Sequence, residues 1–458
     1  MESLSVLLLL LISIAVAVST GGKARSYAII NRNPPRRTRA APDARGVMVS
    51  GFSPAELKAA YNYNTSMAAG SGKTVGIVAC YDSPSIEQEL AVYSNMFGLP
   101  PCTTANGCFK KVGQTGSSTI PTAPDDEDWI GEISLDVQMV HGISPGAKIL
   151  LVLAETSSSV DVLKAILYAA KNSDYVSMSL GFPEDSDSPT YENTYFKVPN
   201  VTYFCASGDY GPGVDYPTSS PNVIAVGGTS LYLSTDNIVE TGWTGSGGGV
   251  SSYSSAPNIQ LTDPRVRALD KTGFRKVPDL SSVGDPTTGV AVYTKGNWEL
   301  MGGTSASCPI IAARAAQTGV VLTVASIYSG SIKFRDITQG YSETPSASLR
   351  YNCKVDYDFV TGLGSWVGTY IGPNNYTTSA TTTSSPTTTR SGTTSATTTS
   401  SPTSTRSGTT SASPTTTTTT TNAPETTKAP WWSIFTSSSQ SNRANVFLIL
   451  FCAVLCLV

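Results

Sequence analysis

The sequence predicts an α/β domain with a doubly wound, mostly parallel sheet and helices on both faces, followed by a disordered Thr/Ser-rich stalk. Three observations support this fold class. Runs of Val, Ile and Leu without polar alternation recur through the middle of the chain, which is typical of strands buried on both faces. Stretches with helical periodicity separate these runs, as in crossovers between parallel strands. After residue 376 the chain becomes almost entirely Thr, Ser and Pro, a composition that cannot bury a core.

The predicted domain covers residues 47–372, and strands alternate with helices along it. Continuous apolar runs predict strands at residues 73–81, 147–154, 175–181, 201–209 and 222–228. Helical patterns cover residues 85–97 and 160–173. Ligands of such sheets bind at the carboxyl ends of the strands. The segment "SLG" and Asp209, which end two of these strands, are therefore expected at one rim of the sheet.

The chain outside this domain carries signals for export and anchoring. Residues 1–20 form an apolar run ending in small residues, as in a secretory signal peptide, and a short basic segment follows at 21–46. Residues 376–430 are predicted to be a mucin-like, O-glycosylated stalk. At 437–458, small residues, a polar spacer and an apolar tail predict a GPI-attachment signal, with a tail anchor as the alternative.

These signals predict a secreted glycoprotein at the cell surface, with membrane contact only through the GPI anchor. Sequons at Asn64, Asn200 and Asn375 agree with that route. A net charge of −3 with 14% charged residues leaves no basic face for nucleic acid. We expect a monomer.

Cysteine spacing predicts one disulfide. Cys102 and Cys108 flank the short loop "CTTANGC" and are the pair expected to form a bond in an oxidising compartment. Cys205 and Cys308 lie in apolar runs and are interpreted as core thiols. A zinc site is disfavoured because the chain has no Cys-x-x-Cys motif and a single histidine, His141.

A helical pattern from about residue 125 to Gly142 carries two carboxyls on one face. Glu132 and Asp136 are one helical turn apart, and apolar Leu135 and Met139 beside them indicate that this face is buried. Two buried like charges share a proton, which raises one pKa and can tune a general base. The alternative is a solvated acidic helix, which the apolar neighbours disfavour.

The segment "GGTSASCP" has the pattern of a serine nucleophile in the first turn of a buried helix, at Ser305. Such a serine usually needs a histidine base, but His141 lies near the end of the carboxyl-bearing helix and lacks the sequence context of such a base. Asp209 follows an apolar strand in a Gly-rich turn, where by itself it is explained by turn chemistry.

Taken together and in this order, "EISLD", "SGDYG" and "GGTSASCP" resemble the sedolisin family of serine-carboxyl peptidases, which have a subtilisin-like fold. The segments "GFSPAELKAAYN", "VPDLSSVGDPTTG" and "DFVTGLGSWVG" extend the resemblance over residues 51–368. The resemblance implies that Ser305 is the nucleophile, Glu132 its general base, Asp136 the residue that orients Glu132, and Asp209 the acid that stabilises the oxyanion.

These roles predict a bell-shaped pH profile centred well below neutrality. Glu132 must be ionised to accept a proton, whereas Asp209 must stay protonated to donate a hydrogen bond to the oxyanion. Both conditions hold together only in acid, which suits an acidic extracellular or vacuolar environment.

The resemblance also implies one structural Ca²⁺. Its ligands would be Asp336, the Ile337 carbonyl and Asp358, and Lys354 and Asp356 stand where family glycines supply carbonyls. Loss of those glycines makes backbone strain possible.

Two other departures concern the substrate cleft and the N-terminal side. Leu180 stands where the family commonly has Trp, which would reshape a substrate subsite. The family usually carries a large folded prodomain, but only a short basic segment precedes the resemblance here. The glycine loop at 247–249 is expected to pair with an extended substrate.

Three functions are compatible with the sequence. The favoured one is an endopeptidase acting on polypeptides. A tripeptidyl-peptidase of the same family is the first alternative. A catalytically inactive display or adhesion protein on a protease scaffold is the second.

Overall fold

The computed structural model describes residues 22–31, 41–42, 48–122, 127–234 and 237–368. The proposed signal peptide, the stalk with Asn375 and the GPI-attachment signal lie outside these residues. Within the described ranges, no helix has both the length and the apolar character needed to cross a membrane.

The described elements are short strands and nine α-helices, numbered here in chain order. The strands are β1 (Arg25–Ser26), β2 (Ile29–Ile30), β3 (Ala41–Pro42), β4 (Met48–Val49), β5 (Thr74–Cys80), β6 (Phe109–Gly113), β7 (Lys148–Ala154), β8 (Tyr175–Met178), β9 (Leu180–Pro183), β10 (Thr202–Ala206), β11 (Asp215–Tyr216), β12 (Val223–Leu233), β13 (Ile238–Gly242), β14 (Gly249–Ser255), β15 (Phe274–Val277), β16 (Leu280–Val283), β17 (Val290–Thr294), β18 (Asn297–Gly302), β19 (Phe334–Arg335), β20 (Tyr341–Glu343), β21 (Arg350–Asn352) and β22 (Ser365–Trp366). The helices are α1 (Pro54–Tyr61), α2 (Ile86–Phe97), α3 (Glu127–Ile143), α4 (Ser159–Asn172), α5 (Glu192–Tyr195), α6 (Asn258–Thr262), α7 (Pro264–Leu269), α8 (Thr304–Thr318) and α9 (Val324–Tyr328). Short 3-10 helices cover Ser188–Tyr191 and Pro286–Thr288.

The central sheet is mostly parallel, as predicted. Its strands follow the order β19-β22-β16-β12-β10-β8-β5-β7-β6, with β13 paired to β12. Neighbouring strands from β22 to β6 run parallel. Strands β13 and β19 are antiparallel to their neighbours. After β5, the chain forms β6 and β7 on one side of β5 and then β8 on its other side. The direction in which strands are added to the sheet therefore changes at β5. Folds of this kind form ligand sites at such a change of strand order.

Helices cover both faces of this sheet, which confirms the predicted fold class. A Cβ on Gly76 in β5 would meet Ala169 of α4, so Gly76 faces that helix. Gly76 is the register partner of Val176 in β8. The next residue, Ser177, points to the opposite face and lies 3.5 Å from Cys308 Sγ in α8. Helices α4 and α8 therefore pack on opposite faces.

The segment predicted as one strand at 175–181 is divided in the structure. β8 ends at Met178 and β9 leaves the central sheet to pair with β1 and β11. Ser179 lies between them, and its hydroxyl bonds Asp136 while its carbonyl lies 3.5 Å from Ser305 Oγ. The division places Ser179 at the carboxyl end of a central strand, in contact with Asp136 and Ser305.

Residues 22–31, called here the N-terminal segment, pack against the domain. Strand β1 pairs with β9 and β2 pairs with β18, both antiparallel. The Ala24 N–H also donates to the Ser157 carbonyl at 2.6 Å. The domain boundary expected at residue 47 leaves this segment out, because so short a stretch of mixed charged and apolar residues gives no clear strand pattern.

The cysteines follow the predicted pattern. Cys102 and Cys108 form a disulfide. Cys205 and Cys308 are buried free thiols, like Cys80 and Cys353. Two of the sequons, Asn64 and Asn200, lie at exposed positions.

Candidate active site

Ser305 lies in the first turn of α8, at the rim where the parallel strands end. Its side chain is fully buried, and its Oγ donates to Glu132 Oε2 at 2.9 Å. Gly303, just before the helix, has φ +98°, a conformation that disfavours any other residue. A Cβ on Gly303 would also overlap the carbonyl oxygen of Tyr27. The Gly-Gly-Thr-Ser pattern is therefore explained by a tight turn, which places the Ser305 hydroxyl in a closely packed site.

Glu132 and Asp136 project from α3 towards α8, and both are fully buried. Asp136 Oδ1 accepts a 2.6 Å hydrogen bond from Ser179 Oγ, which fixes the carboxyl. The alternative of a solvated acidic helix is excluded, since Leu135 on the same helix is also fully buried. Among the described residues, Glu132 Oε1 and Asp136 Oδ2 have no hydrogen-bond partner. Each carboxyl therefore retains one buried oxygen that is free to share a proton with the other carboxyl.

Burial sets the protonation of this pair. Desolvation raises the pKa of Glu132 well above its ordinary value and the Asp136 carboxyl raises it further, against hydrogen bonds from Ser305 and Ala28. Desolvation likewise raises the pKa of Asp136, against the bond from Ser179. Two such carboxyls lose their protons in two separate steps, so over a broad range they hold one proton between them. The singly ionised pair can accept a proton from Ser305.

Asp209 lies in the turn after β10, beside the start of α8. Its Oδ1 accepts from the Thr304 N–H at 2.7 Å and from Thr304 Oγ1 at 2.8 Å. Its Oδ2 is buried and has no partner among the described residues. Desolvation raises the pKa of Asp209 to about 7, against the two hydrogen bonds from Thr304. Below that pH the carboxyl carries a proton, which Oδ2 can donate into the site.

The glycine loop at 247–249 supports the turn that carries Asp209. The Gly247 N–H donates to the Gly208 carbonyl at 2.8 Å, and the Gly213 N–H donates to the Gly248 carbonyl at 2.9 Å. A Cβ on Gly248 would overlap the Phe359 carbonyl, so only glycine allows this close backbone approach. In the described part of the chain, the extended N-terminal segment pairs with β9 and β18 and not with this loop.

Backbone and side-chain groups that the sequence reasoning missed complete the site. The N–H groups of Tyr27 and Ala28 both donate to Glu132 Oε2 at 2.8 Å. Ser179 connects Asp136 to α8. Ser179 could have been predicted as a site residue, because it follows a central strand whose carboxyl end lies at the same rim as Asp209. Tyr27 could not have been predicted as a site residue, because nothing in its local sequence indicates a contact with Glu132, which lies 105 residues away.

His141 lies away from the nucleophile's hydrogen bonds, against the loop that precedes β6. Its Nε2 is 2.9 Å from the Pro100 carbonyl, and burial lowers its pKa to about 4. With Cys102 and Cys108 it forms the one group of three metal-ligating side chains found among the described residues. Because the two sulfurs are bonded to each other, they do not offer thiolates to a metal.

The residues expected to bind calcium lie around the loop before β22. Asp358 is buried, and its Oδ1 accepts from the N–H groups of Val360 and Thr361 at 2.8 Å each. Its Oδ2 accepts from the Lys354 N–H at 3.0 Å. Desolvation raises the pKa of Asp358 to about 6. The loop is thus ordered by a buried carboxyl that holds the backbone on both sides.

The other residues expected to bind calcium lie beside this loop. Asp336 Oδ2 accepts from the Asp356 N–H at 3.0 Å, which joins the two halves of the expected site, and Ile337 is buried next to it. Asp356 has φ +67°, so the strain expected where glycine is replaced is present. No described lysine or arginine forms an ion pair with Asp336, Asp356 or Asp358. The oxygens of these three carboxylates do not come together as a group within 4.8 Å of one another.

Several known proteins are similar to this chain in sequence. The profile of the subtilase family matches residues 113–321. Kumamolisin from Bacillus sp. (strain MN-32) is 31% identical over 357 residues, which cover 69% of this chain and 62% of the relative. Sedolisin from Pseudomonas sp. (strain 101) is 28% identical over 368 residues, covering 69% of this chain and 60% of the relative. The chain thus spans about three fifths of the length of these relatives.

A solved structure shares the fold. Pseudomonas sedolisin, a serine-carboxyl proteinase complexed with two molecules of pseudo-iodotyrostatin, superposes with a TM-score of 0.60 at 28% identity. The match covers 70% of this chain and 96% of that one.

Proposed function

The chain belongs to the sedolisin family of serine-carboxyl peptidases, and from that premise we propose that it hydrolyses peptide bonds of polypeptides in acid. The observation that carries the proposal is the 2.9 Å hydrogen bond from Ser305 Oγ to Glu132 Oε2, buried beside a second carboxyl at Asp136. A hydroxyl bonded to a buried carboxylate has the acceptor that nucleophilic attack requires.

In the proposed reaction, Ser305 Oγ attacks the carbonyl carbon of the substrate and Glu132 takes the hydroxyl proton. Asp136, held by Ser179, orients Glu132 and shares the remaining proton of the pair. Glu132 then returns its proton to the leaving amine, and water repeats the sequence on the acyl-enzyme. Carboxyls replace imidazole because burial brings their pKa towards the working pH.

Asp209 is proposed to stabilise the oxyanion. Its protonated Oδ2 donates to the developing negative charge, together with the backbone N–H of Ser305. The bonds from Thr304 fix Oδ1, so that Oδ2 is the oxygen left to face the reaction. Activity needs one negative charge on the Glu132–Asp136 pair and a neutral Asp209. As pH rises through about 7, Asp209 ionises, loses its donor and repels the oxyanion.

The course of the N-terminal segment favours an endopeptidase over a tripeptidyl-peptidase. A chain already passes through the site, with β1 on one side of Ser305 and β2 on the other. On the β1 side it continues as far as Gly22, whose carbonyl accepts from the Ser159 N–H at 3.0 Å. A tripeptidyl-peptidase requires a barrier after the third residue, and this path extends beyond that point.

We expect the protein to digest a denatured protein substrate at acid pH and to release peptides of mixed length. The measurement is peptide release between pH 3 and 7, with mass spectrometry of the products. Ser305→Ala should lower the rate by about 10³-fold or more, because the nucleophile is removed. Its circular dichroism should match the wild type. Absence of acid activity, or equal activity in Ser305→Ala, would favour the inactive display protein, and products that are all tripeptides would favour the exopeptidase.

Calcium is part of the proposal. Asp336, the Ile337 carbonyl and Asp358 would hold one ion, with further oxygens from Lys354 and Asp356. When bound, the ion would neutralise carboxyls that otherwise repel one another, and it would join two parts of the C-terminal side of the domain.

We expect chelation to destabilise the fold. Addition of EDTA should lower the Tm by roughly 5–15 °C, as loss of a tightly bound ion does in a domain of this size. Calcium in excess should restore the Tm and magnesium should not, because the smaller ion demands a stricter geometry. In Asp336→Asn the EDTA effect should largely disappear, while Asp174→Asn, at an exposed ion pair with Lys73, should retain it. An unchanged Tm in the wild type after EDTA would contradict the calcium site.

The proposed localisation rests on the export and anchoring signals of the sequence. The protein is proposed to be secreted and held at the cell surface by a GPI anchor, and the exposed sequons at Asn64 and Asn200 support passage through the secretory pathway.

A further inference from the structure

Three side chains that can bind a metal meet where the loop before β6 packs against the last turn of α3. Cys102, Cys108 and His141 each offer one ligand atom, and these atoms lie within 4.8 Å of one another. Cys102 and His141 are buried, and Cys108 is half-buried. The two sulfurs are joined as a disulfide. Reduction of that bond would leave two thiols and one imidazole in the same place.

His141 is oriented as a metal-binding histidine is. Its Nε2 lies 2.9 Å from the Pro100 carbonyl oxygen, and since a carbonyl can only accept, Nε2 carries the proton. Its Nδ1 therefore keeps a lone pair, and this buried atom has no hydrogen-bond partner among the described residues. Histidines that bind metals usually donate their other ring N–H to a carbonyl or carboxylate, which fixes the ring. A buried lone pair beside two sulfurs is explained by a ligand that the disulfide form does not hold.

The loop brings its two cysteines together without help from the disulfide. Asn106 Oδ1 accepts from the Thr103 N–H and from the Cys108 N–H, at 3.0 Å each. Asn106 Nδ2 donates to the Pro101 carbonyl at 2.9 Å. The Phe109 N–H donates to the Thr103 carbonyl at 3.2 Å, which closes the base of the loop. We therefore expect the two thiols to stay close together after reduction.

We propose that Cys102, Cys108 and His141 bind one Zn²⁺ when the disulfide is reduced. The loop is then closed by the disulfide in oxidising surroundings and by the metal in reducing ones. Two thiolates, one imidazole and a water molecule form a tetrahedral set that suits zinc, and soft thiolates disfavour Ca²⁺ and Mg²⁺. Half-exposed Cys108 leaves access for the water and for the reductant.

The exchange is balanced in atoms, electrons and charge. A dithiol reductant gives two electrons and two protons to the disulfide, becomes a disulfide itself, and leaves two thiols on the loop. Zn²⁺ then replaces the two thiol protons, which pass to solvent. A disulfide oxidant reverses both steps and releases the metal. Because a zinc ion with two thiolates is as neutral as two thiols, the nearby Lys58 amine meets no added net charge.

The test uses Co²⁺ as a coloured probe of the zinc site. The full chain is kept at pH 7.5 with Ca²⁺ in excess, so that carboxylates are not available to the probe. One sample is reduced with a phosphine, which takes its oxygen from water and carries no thiol of its own. We expect the reduced protein to bind one equivalent of Co²⁺ with thiolate-to-cobalt charge-transfer absorption, and Zn²⁺ to abolish that absorption. The unreduced protein should show neither change.

Thermal unfolding gives a second readout. In the reduced protein, free Zn²⁺ at about 100 times its Kd should raise the Tm by about 4 °C, as a ligand of the folded state does in a domain of this size. The Tm of the unreduced protein should not respond to Zn²⁺, because its sulfurs are bonded to each other.

Three variants locate the metal. His141→Gln keeps a donor towards the Pro100 carbonyl but has no imidazole, so the Kd for Co²⁺ should rise by at least about 10²-fold. Cys108→Ser should abolish the binding of one equivalent, because a single thiolate remains in the group. Cys353→Ser, at a buried free thiol outside the group, should behave as the wild type. Circular dichroism should be the same in all four proteins.

The opposite results would overturn the inference. Reduced protein without charge-transfer absorption would show that the three side chains do not bind a metal. The same absorption in unreduced protein, or undiminished absorption in His141→Gln or Cys108→Ser, would place the metal at other thiols. Peptide hydrolysis enters none of these measurements, so failure of the proposed function would not affect them.

Discussion

Glu132→Gln should reduce kcat by about 10³-fold or more at every acid pH. The amide keeps the shape of the side chain, but it has no ionisable oxygen to take the proton from Ser305 Oγ, and general-base assistance contributes about 10²–10⁴-fold. The amide also cannot return a proton to the leaving amine, so we expect both acylation and deacylation to become slower. The measurement is kcat for digestion of a peptide substrate across the acid range, in the wild type and in Glu132→Gln.

The matched control is Glu89→Gln. Glu89 is also a buried glutamate, and its Oε2 accepts a 2.7 Å bond from Ser134 on the same helix as Glu132. The same substitution there should lower the Tm but leave kcat within about two-fold, because Glu89 bonds the far side of the helix and not the nucleophile. Equal losses in both variants would mean that burying an amide in this region is what disables the protein, and that Glu132 is not the base.

Asp209 offers the second large effect, and the two substitutions at this position should behave differently. Asp209→Ala removes the donor and should cost about 10²–10³ in kcat, the usual loss of an oxyanion donor. Asp209→Asn keeps an N–H donor at every pH, so much of the activity at acid pH should remain. Since the carboxyl, with a pKa raised to about 7 by burial, sets the alkaline limb, Asp209→Asn should move that limb to higher pH.

The measurement is kcat against pH for the wild type, Asp209→Ala and Asp209→Asn. Asp174→Asn serves as the control, because it makes the same chemical change at a surface ion pair. If the alkaline limb of the kcat profile lies at the same pH in Asp209→Asn as in the wild type, the limb reflects the ionisation of another group. Asp209 would then be a structural residue that only fixes Thr304.

Much of the fold could be predicted because its pattern is local. Each central strand is a continuous apolar run, and Gly, Pro or polar residues mark its ends, so the parallel sheet and the helices between its strands followed from periodicity alone. The break at Ser179 could not be predicted in this way. It depends on contacts with Asp136 and Ser305, which lie 43 and 126 residues away.

The candidate site was predictable in its residues but not in its environment. Helical spacing placed Glu132 and Asp136 on one face, and the structure brings both to Ser305 and Ser179. Their burial, which changes their pKa, depends on α8 and on the N-terminal segment, and neither can be read from the helix itself. Residues 22–31 form a short segment of mixed charged and apolar residues, so their pairing with β9 and β18 is seen only in the structure.

The central claim is that a carboxyl pair, and not imidazole, deprotonates Ser305. Its most direct test is the pH dependence of kcat/KM in the wild type and in His141→Gln, a change that keeps a donor towards the Pro100 carbonyl. The account predicts a bell-shaped profile with an alkaline limb near or below about 7, the same in both proteins. A profile that instead rises through pH 6.5 to a neutral or alkaline optimum, and that His141→Gln abolishes, would contradict it.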